Sequence, residues 1–549
     1  MSDLFWCRNC HVPLLQKICG NCHHRGVKIC GDLRPIFPDE ANLIEDETGV
    51  KLPSHSWEEG LWQRKGTLWL DGRHLLRLGR SSNKITFVRS YSHDWERMGK
   101  LASYRALYRA NRKALSRLEK EAVAFISKVC KRESVRLPMV SFSGGKDSTV
   151  VSHLVRKALR KRPIAHVFGD TTIEYPDTYE YIDTFIRSNI RVPFHQVKCS
   201  NDFFNMCQLL GPPSRINAWC CSVFKSSPIA GLVNSINDSN GVISFEGIRR
   251  NESTRRRLRE RLYRNKKIVH QLSAYPILEW KEIHVWMYIL TNRLAFNKAY
   301  LKGVTRVGCL FCPNNRPRNE HILWIAYPSE MDRFKNLICS YASKIGKKDP
   351  DEYYSSGAWK MRVGKTDAPS PIYVRKVACL SNADAMHFIL DVPIGESFID
   401  RFKPFGRLVN YADSNSQGFT AFDQKSGESL FMLRRIKDVD TLRRESKIDP
   451  AWKLGTEFLC VDVLSRSGKK KLLTTIERQI RKYQACVSCG ACAGVCPTGA
   501  ITINPHFRVS EDKCVHCGRC LNTRLLKASC VSINSQQQSR RFVIDHRIQ

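Results

Sequence analysis

The run SFSGGKDST at residues 141–149 constrains this chain more than any other stretch. An apolar segment, residues 137–142, meets Gly144 and Gly145 and then Lys146, Asp147 and Ser148. Lacking Cβ atoms, two glycines let backbone N–H groups close around phosphate oxygens, and a helix opening beside them adds its positive end to the same place. The spacing is not the common G-x-x-x-x-G-K-S/T phosphate loop. A strand that ends in a phosphate-binding turn and passes into a helix commits this region to an α/β layer.

The alternation continues downstream. Residues 139–142 and 165–169 read as strands, and 149–160 and 179–189 as helices, which predicts a parallel sheet covered by helices over roughly 136–370. Ligands of such sheets bind at the carboxyl ends of the strands, where Ser143 and Asp170 both fall. Between residues 99 and 135, apolar positions recur at helical spacing with Arg and Lys on the other faces, so a basic helix leads into the first strand. Residues 33–98 are basic and Trp-rich, with short alternating runs separated by turns such as Asp71-Gly72, and carry no legible chemistry. Residues 371–482 read as α+β without a motif, and 535–549 as a polar tail.

At 549 residues several domains are expected, and a hydrophobic content of 42% is that of a soluble globular protein. No apolar run reaches the length of a membrane span and the first residues lack a signal-peptide core, so a cytoplasmic location is expected. The net charge of +37, from 89 Lys and Arg against 52 Asp and Glu, calls for a polyanionic partner. Twenty-three cysteines without an export signal point to metal and not to disulfides.

The cysteines fall into three sets. Cys7, Cys10, Cys19 and Cys22, within residues 1–32, have the C-x2-C-x8-C-x2-C spacing of a zinc ribbon holding one Zn2+, with Cys30 or His23 as substitutes for a ligand. In residues 483–534, Cys486, Cys489, Cys492 and Cys496-Pro497 form the bacterial ferredoxin run, and Cys514, Cys517 and Cys520 begin a second that Cys530 completes after nine residues instead of three. By the crossed ligation of ferredoxins, Cys486, Cys489, Cys492 and Cys530 are expected on one 4Fe–4S cluster and Cys496, Cys514, Cys517 and Cys520 on another. The third set is Cys220-Cys221 with the distant Cys309-x2-Cys312; its thiolates alone do not separate zinc from iron.

The loop resembles the SGGxDS pyrophosphate loop of the PP-loop ATP pyrophosphatases, a superfamily that includes PAPS and APS reductases, tRNA thiolases and the sulfur-inserting component of DNA phosphorothioation systems. DTTIEYPDT, from Asp170 through Thr171, Glu174, Pro176 and Thr178, is similar to their DTG-x-x-F/Y-PET segment, with Thr172 in place of the usual glycine. Gly247, Arg249, Glu252, Ser253 and Arg256 match their G-x-R-x-x-E/Q-S-x-x-R pattern. The CC…CxxC arrangement is similar to the 4Fe–4S ligation of APS reductases and of the phosphorothioation enzymes.

The resemblance implies an adenine nucleotide α-hydrolase-like core. It also implies that Ser141, Ser143, Gly144, Gly145, Lys146, Asp147, Ser148, Asp170 and Thr171 hold ATP with Mg2+, that Lys146, Asp147, Ser148, Arg249 and Arg256 act in catalysis, and that Cys220, Cys221, Cys309 and Cys312 hold a third cluster. The sulfonucleotide reductases carry a nucleophilic cysteine in an E-C-G-I/L-H context, and no such stretch stands in this sequence. The resemblance therefore implies adenylation of an oxygen of a nucleic acid for replacement by sulfur. A DNA phosphate is favoured over a tRNA base, with a cysteine desulfurase as donor and other sulfur-modification proteins as partners. The alternatives are a sulfonucleotide reductase, a tRNA thiolase and a non-catalytic nucleic-acid-binding scaffold.

Overall fold

A segment as short as the cysteine-bearing N-terminus cannot bury a core of its own. It folds as three short antiparallel strands, β1 (Phe5–Cys7), β2 (Val12–Leu14) and β3 (Val27–Lys28), closed by its thiols. The structure is a computed structural model and describes residues 3–81, 84–91, 101–160, 162–215, 217–236, 240–265, 268–361, 374–412, 417–446, 448, 455–484, 486–503 and 506–521. Cys530 and the tail 535–549 lie outside the described residues. The chain divides into two compact units, the first made of Met1–Val197, Ser239–Asn265 and Gln271–Phe334, the second of Lys198–Asp238, Lys266–His270 and Lys335–Gln549. The expected segment 136–370 is therefore shared between the units.

In the first unit, β4 (Arg34–Pro35), β5 (Leu61–Arg64), β6 (Thr67–Leu70), β7 (Arg73–Ser81) and β8 (Lys84–Ser90) form an antiparallel sheet in chain order. The Asp71-Gly72 turn has both residues at positive φ, 45° and 74°, as a two-residue hairpin connection of the right twist requires. Leu61, Leu68, Leu70, Leu76 and Ile85 alternate onto one face and bury Ala41 and Ile44 of helix α1 (Pro38–Thr48).

Helix α2 (Tyr104–Arg132) starts at Ser103, whose side chain caps the Ala106 amide at 3.1 Å. Its inner stripe, Leu107, Ala110, Ala114, Leu115, Ala122, Ile126 and Val129, is buried. Buried Asn111 ties this helix to the ribbon, donating to the Pro13 carbonyl at 2.9 Å and accepting from the Leu15 amide at 2.8 Å. The Gly20 amide donates to the Ala110 carbonyl at 2.9 Å, so close that a Cβ on Gly20 would lie 2.7 Å from the Arg109 carbonyl oxygen.

The central sheet follows from the buried strand β9 (Leu137–Ser141), flanked in parallel by β10 (Ala165–Asp170) and β12 (Val242–Glu246), with β11 (Phe194–Lys198) beyond β10. β14 (Gln271–Ala274) continues parallel to β12. The sheet is not wholly parallel as expected: β13 (Leu262–Arg264) pairs antiparallel with β14, because the short link between them cannot make the long crossover that a parallel partner needs. Helix α3 (Lys146–Ala158) opens three residues earlier than its pattern suggested, with Gly145 as an extended N-cap, and α4 (Pro176–Ser188) follows β10 behind a proline at its first turn.

In the second unit, β15 (Val374–Ala378), β16 (Ala385–Leu390), β17 (Arg407–Ala412), β18 (Gln417–Phe422), β19 (Ser429–Ile436) and β20 (Glu457–Val463) make an antiparallel sheet in the order β15-β16-β20-β19-β18-β17. Phe388, Phe402, Phe419, Phe431 and Leu459 fill its core, with Ile476 and Ile480 of the helix Lys469–Gln484 against them. A two-strand hairpin, β21 (Ile501–Thr502) with β22 (Arg508–Val509), lies between the two C-terminal cysteine runs. No described helix is long and apolar enough to cross a membrane.

Glu40 of α1 is fully buried between two guanidinium groups, Arg34 Nη1 at 2.7 Å and Arg318 Nη2 at 2.6 Å. Burial pushes its carboxyl up, but Arg34 and then Arg318 outweigh it and hold the pKa below the usual carboxylate range. The stabilisation is thus complete above pH 4.5, the ordinary glutamate value, and is lost as pH falls through the depressed folded value. Glu40→Gln strands the buried Arg34 and the half-buried Arg318 and should cost about 3–5 kcal/mol, read as a lower urea midpoint for the first unit at pH 7.

Candidate active site and metal centres

Gly144 sits at φ +68°, a conformation reserved in practice for glycine, and a Cβ there would come within 3.0 Å of Thr178 Cγ2. Among the described residues the amides of Gly144 and Gly145 donate to nothing, and both precede the N-terminus of α3. Ser148 Oγ knots the turn from within: it donates to the Gly145 carbonyl at 2.8 Å and accepts from the Ser143 amide at 3.2 Å, with Ser143 Oγ also at 3.2 Å. Ser141 closes β9 just before. Two uncommitted amides at a helix N-terminus, on a glycine pair closely flanked by Thr178 and Tyr300, fit a nucleotide phosphate.

Lys146 turns into the protein. Only 3% exposed, its Nζ donates to the Thr305 carbonyl at 3.0 Å and lies 3.6 Å from both Asp147 and Glu282, while its amide donates to Tyr300 Oη at 3.0 Å. Burial works to lower the Lys146 pKa, but Tyr300, Asp147 and Glu282 outweigh it and keep the ammonium. Thr305 in turn donates to Asn319 Oδ1, at 3.0 Å from Oγ1 and 3.3 Å from its amide. The loop thereby grips a strap, residues 300–319, of which the sequence motifs had marked only Cys309 and Cys312.

Asp147 is held from the other side. Arg249 Nε donates to its Oδ1 at 2.5 Å, and Gly247 approaches so closely that a Cβ there would lie 2.6 Å from the Asp147 carbonyl carbon. Arg249 is 4% exposed, its amide donates to Glu252 Oε2 at 3.1 Å, and Arg256 pairs with the same carboxylate. Burial raises the Asp147 pKa, yet Arg249 and Lys146 bring it below its ordinary value. The two arginines expected to meet phosphate are thus anchored by carboxylates at the mouth of the loop.

Asp170 accepts three hydrogen bonds, from the Thr172 amide (2.7 Å), Tyr179 Oη (2.8 Å) and Gln196 Nε2 (2.9 Å), and so orders the turn after β10. Thr172 has φ +64°, which explains the glycine of the related motif and makes this β-branched residue a point of backbone strain. Thr171 Oγ1 donates to Glu174 Oε1 at 2.8 Å, and Cys309 Sγ faces the same oxygen at 3.8 Å. Glu174 and Cys309 form an isolated antiparallel bridge, and the Leu310 amide donates to the Ile173 carbonyl at 2.7 Å. The Cys309–Cys312 turn, with the Cys312 amide on the Cys309 carbonyl at 3.3 Å, therefore lies against the carboxyl end of β10 and on the strap that Lys146 holds.

Residues 137–315 match the family described as the phosphoadenosine phosphosulfate reductase domain. The chain carries a PAPS reductase domain. Residues 485–523 match the 4Fe-4S dicluster domain. An uncharacterized protein of Methanocaldococcus jannaschii is 32% identical over 289 residues, which is 51% of this chain and 58% of that protein, so the match spans little more than half the length of that relative. Sulfate adenylyltransferase subunit 2 of Rhodopseudomonas palustris is 24% identical over 212 residues, 34% of this chain and 61% of that one. The crystal structure of a PAPS reductase from Candida auris shares 16% identity and covers 36% of this chain and 95% of its own, with a TM-score of 0.28.

Beside the PAPS reductase domain, the ribbon thiols of Cys7, Cys10, Cys19 and Cys22 all lie within 4.8 Å of one another, with Cys7 and Cys22 Sγ 3.4 Å apart and Cys10 and Cys19 Sγ 3.8 Å apart. Four sulfurs at about 2.3 Å from one ion stand at such separations, so the set fits a single tetrahedral Zn2+. Against its burial, the Cys22 thiol is drawn down to about 6 by the His24 amide and by Cys7 and Cys10, which suits a thiolate ligand. Cys30 points elsewhere, donating to the Asp32 carbonyl at 3.3 Å, and His23 is exposed at φ +60°.

The dicluster domain belongs to the second unit. Cys489, Cys492 and Cys496 are buried, Cys486, Cys514 and Cys520 half-buried and Cys517 exposed. Burial raises the Cys514 thiol, and a charge on Cys496 adds to it; the Cys520 thiol is pushed up to about 12 by burial, with Cys492, Cys496 and Cys514 adding against Lys482. Cys492 of the first run and Cys496 both lie within electrostatic reach of the Cys520 thiol. The Lys482 ammonium, 1% exposed, donates to the Cys520 carbonyl at 2.6 Å and, with Arg401, acts on Cys492 as well. Buried cations among the thiolates fit clusters whose ligand shells carry net negative charge.

Cys220 and Cys221 also lie in the second unit, whereas Cys309 and Cys312 lie in the first. The pair opens a π-helical turn, Cys221–Ser226, of a kind that recurs at functional sites, and runs into the helix Ser227–Ile236. That helix is packed by the first cysteine run: a Cβ on Gly494 would stand 2.9 Å from Ser227 Oγ, and Asn234 Nδ2 donates to the Cys496 carbonyl at 3.2 Å. Replacing Lys482 by Met removes a buried positive charge from both cysteine runs and should lower the reduction potentials of the dicluster domain without loss of iron, as read by a redox titration followed by electron paramagnetic resonance.

Proposed function

We propose that this chain is an ATP pyrophosphatase that adenylates an oxygen of a nucleic acid so that sulfur can replace it, with a DNA backbone phosphate as acceptor and a cysteine desulfurase as sulfur donor. The observation that carries this reading is the strap 300–319, which Lys146 grips through Thr305 and which bears Cys309 and Cys312 against Glu174. A thiol pair and a phosphate loop then share the carboxyl ends of β9 and β10, where α/β sheets bind ligands. Adenylyl transfer also stands in the name of the Rhodopseudomonas palustris relative.

In this reading the amides of Gly144 and Gly145 and the N-terminus of α3 bind the β- and γ-phosphates as the α–β bond breaks and pyrophosphate leaves. Ser143 to Ser148 would hold the triphosphate through Mg2+, which would offset the charge of the leaving pyrophosphate, and Arg249 and Arg256 would take up the charge that develops as AMP passes to the acceptor oxygen. A persulfide sulfur then displaces AMP, and its remaining S–S bond is cleaved by two electrons, leaving sulfur on phosphorus. Iron–sulfur clusters held by the two C-terminal cysteine runs would supply those two electrons. A second reading, reduction of a sulfonucleotide, is favoured by the identity of the domain itself and needs no nucleic acid.

Mass spectrometry of nuclease digests from cells with and without this gene separates the readings. Phosphorothioate dinucleotides should disappear with the gene, and Asp147→Asn should abolish pyrophosphate release by the purified protein. Full pyrophosphate release by that variant would sink the adenylation step. Reduction of adenosine 5′-phosphosulfate by reduced dicluster protein alone would favour the second reading.

A further inference from the structure

Helix α2 carries two kinds of surface. Its inner stripe is buried against the ribbon and the PAPS reductase domain, whereas Arg105, Arg109, Lys113, Arg117, Lys120, Lys128 and Lys131 are all exposed and follow one another at helical spacing along the outer face. From Arg105 to Lys131 this stripe runs about 39 Å at 1.5 Å per residue. The carboxylates of the helix do not oppose it. Glu119 is taken by Lys157 and by Tyr288 Oη at 3.2 Å, and Glu121 by Arg261. Among the described residues none of the outer cations has a carboxylate within ion-pair distance.

Such a row costs self-repulsion in the free protein, which a polyanion relieves. Its chemistry selects the form of that polyanion. Surfaces that hold single strands stack bases on aromatic rings, and after Tyr108 the outer face of α2 has none: Phe125 is half-buried and covered by the Arg261 guanidinium 3.9 Å from its centroid. From Arg109 to Lys131, a straight row of long cationic side chains without stacking partners matches regularly spaced phosphates.

We infer that the outer face of α2 docks the phosphate backbone of duplex DNA. This rests on the nucleic-acid acceptor proposed above and gives the acceptor a place on the protein. The contact reads no sequence; it holds the duplex on the same unit as the phosphate loop, α2 leading directly into β9.

The test is fluorescence anisotropy of the full chain with a labelled 30-base-pair duplex, a single strand of the same sequence and a tRNA, across a salt series. The variant R109Q/K113Q/R117Q/K120Q keeps good helix formers and removes four cations. It should bind the duplex at least about tenfold more weakly and flatten the plot of log affinity against log salt by about three to four units. The swap R109K/K113R/R117K/K120R should restore both, which separates a docking role from a folding defect. Unchanged duplex affinity and slope in the glutamine variant would overturn the α2 surface and leave the acceptor reading standing. Equal losses for the single strand or the tRNA would overturn the commitment to duplex DNA. If the wild-type protein binds no nucleic acid at 50 mM salt, both this inference and the acceptor reading fail.

Discussion

The site depends on one ion pair, the half-buried Asp147 with the buried Arg249, where two parallel strands end. A carboxylate removed from water is tolerated only with a cation in place, and the gain that the pair returns depends on close geometry. Gly247 supplies that geometry, since any side chain there would meet the Asp147 backbone. β9 and β12 must be neighbours for this to happen, and their register sets Glu246 opposite Ser141, one residue before each functional turn. The phosphate loop is therefore shaped by the fold before any ligand arrives, and the serines and glycines that precede Asp147 inherit its position.

The Trp-rich region, which offered no chemistry as sequence, acts on the same site at a distance. Glu40 anchors Arg318, and Glu47 receives His321 Nε2 at 2.7 Å, so α1 holds the helix that follows the Cys309–Cys312 turn. From the opposite end, Asp32 accepts the amides of Glu282 at 3.2 Å and Ile283 at 2.9 Å and so caps the helix whose Glu282 faces Lys146. The ribbon and the small sheet are thus braces of the PAPS reductase domain.

What was legible in the sequence is what local chemistry dictates. Glycines that need positive φ, the strand-turn-helix rhythm and cysteines at fixed spacings all speak through neighbours a few residues away. The replacement of glycine by Thr172 was visible as a departure from the motif, and its φ of +64° gives that departure a physical meaning. Tyr300, Thr305 and Glu282 were not legible, because each reaches the loop across more than a hundred residues of chain. Lys146 shows the same limit from the other side: its place in the motif suggested a phosphate ligand, while its amine is spent on the strap. The antiparallel β13 depends on the length of its link to β14, which no motif encodes, and the sheet from β15 to β20 rests on cross-strand pairing that leaves no short signature.

The packing of Gly494 on Ser227 carries a kinetic meaning. An electron carrier on a flexible tether must search for its acceptor, and its rate reflects encounter and salt. Here the backbone beside Cys492 touches the helix that issues from Cys220 and Cys221. Charge passing between those thiols and the first cysteine run would need no diffusional search, so its step would be first-order and insensitive to dilution.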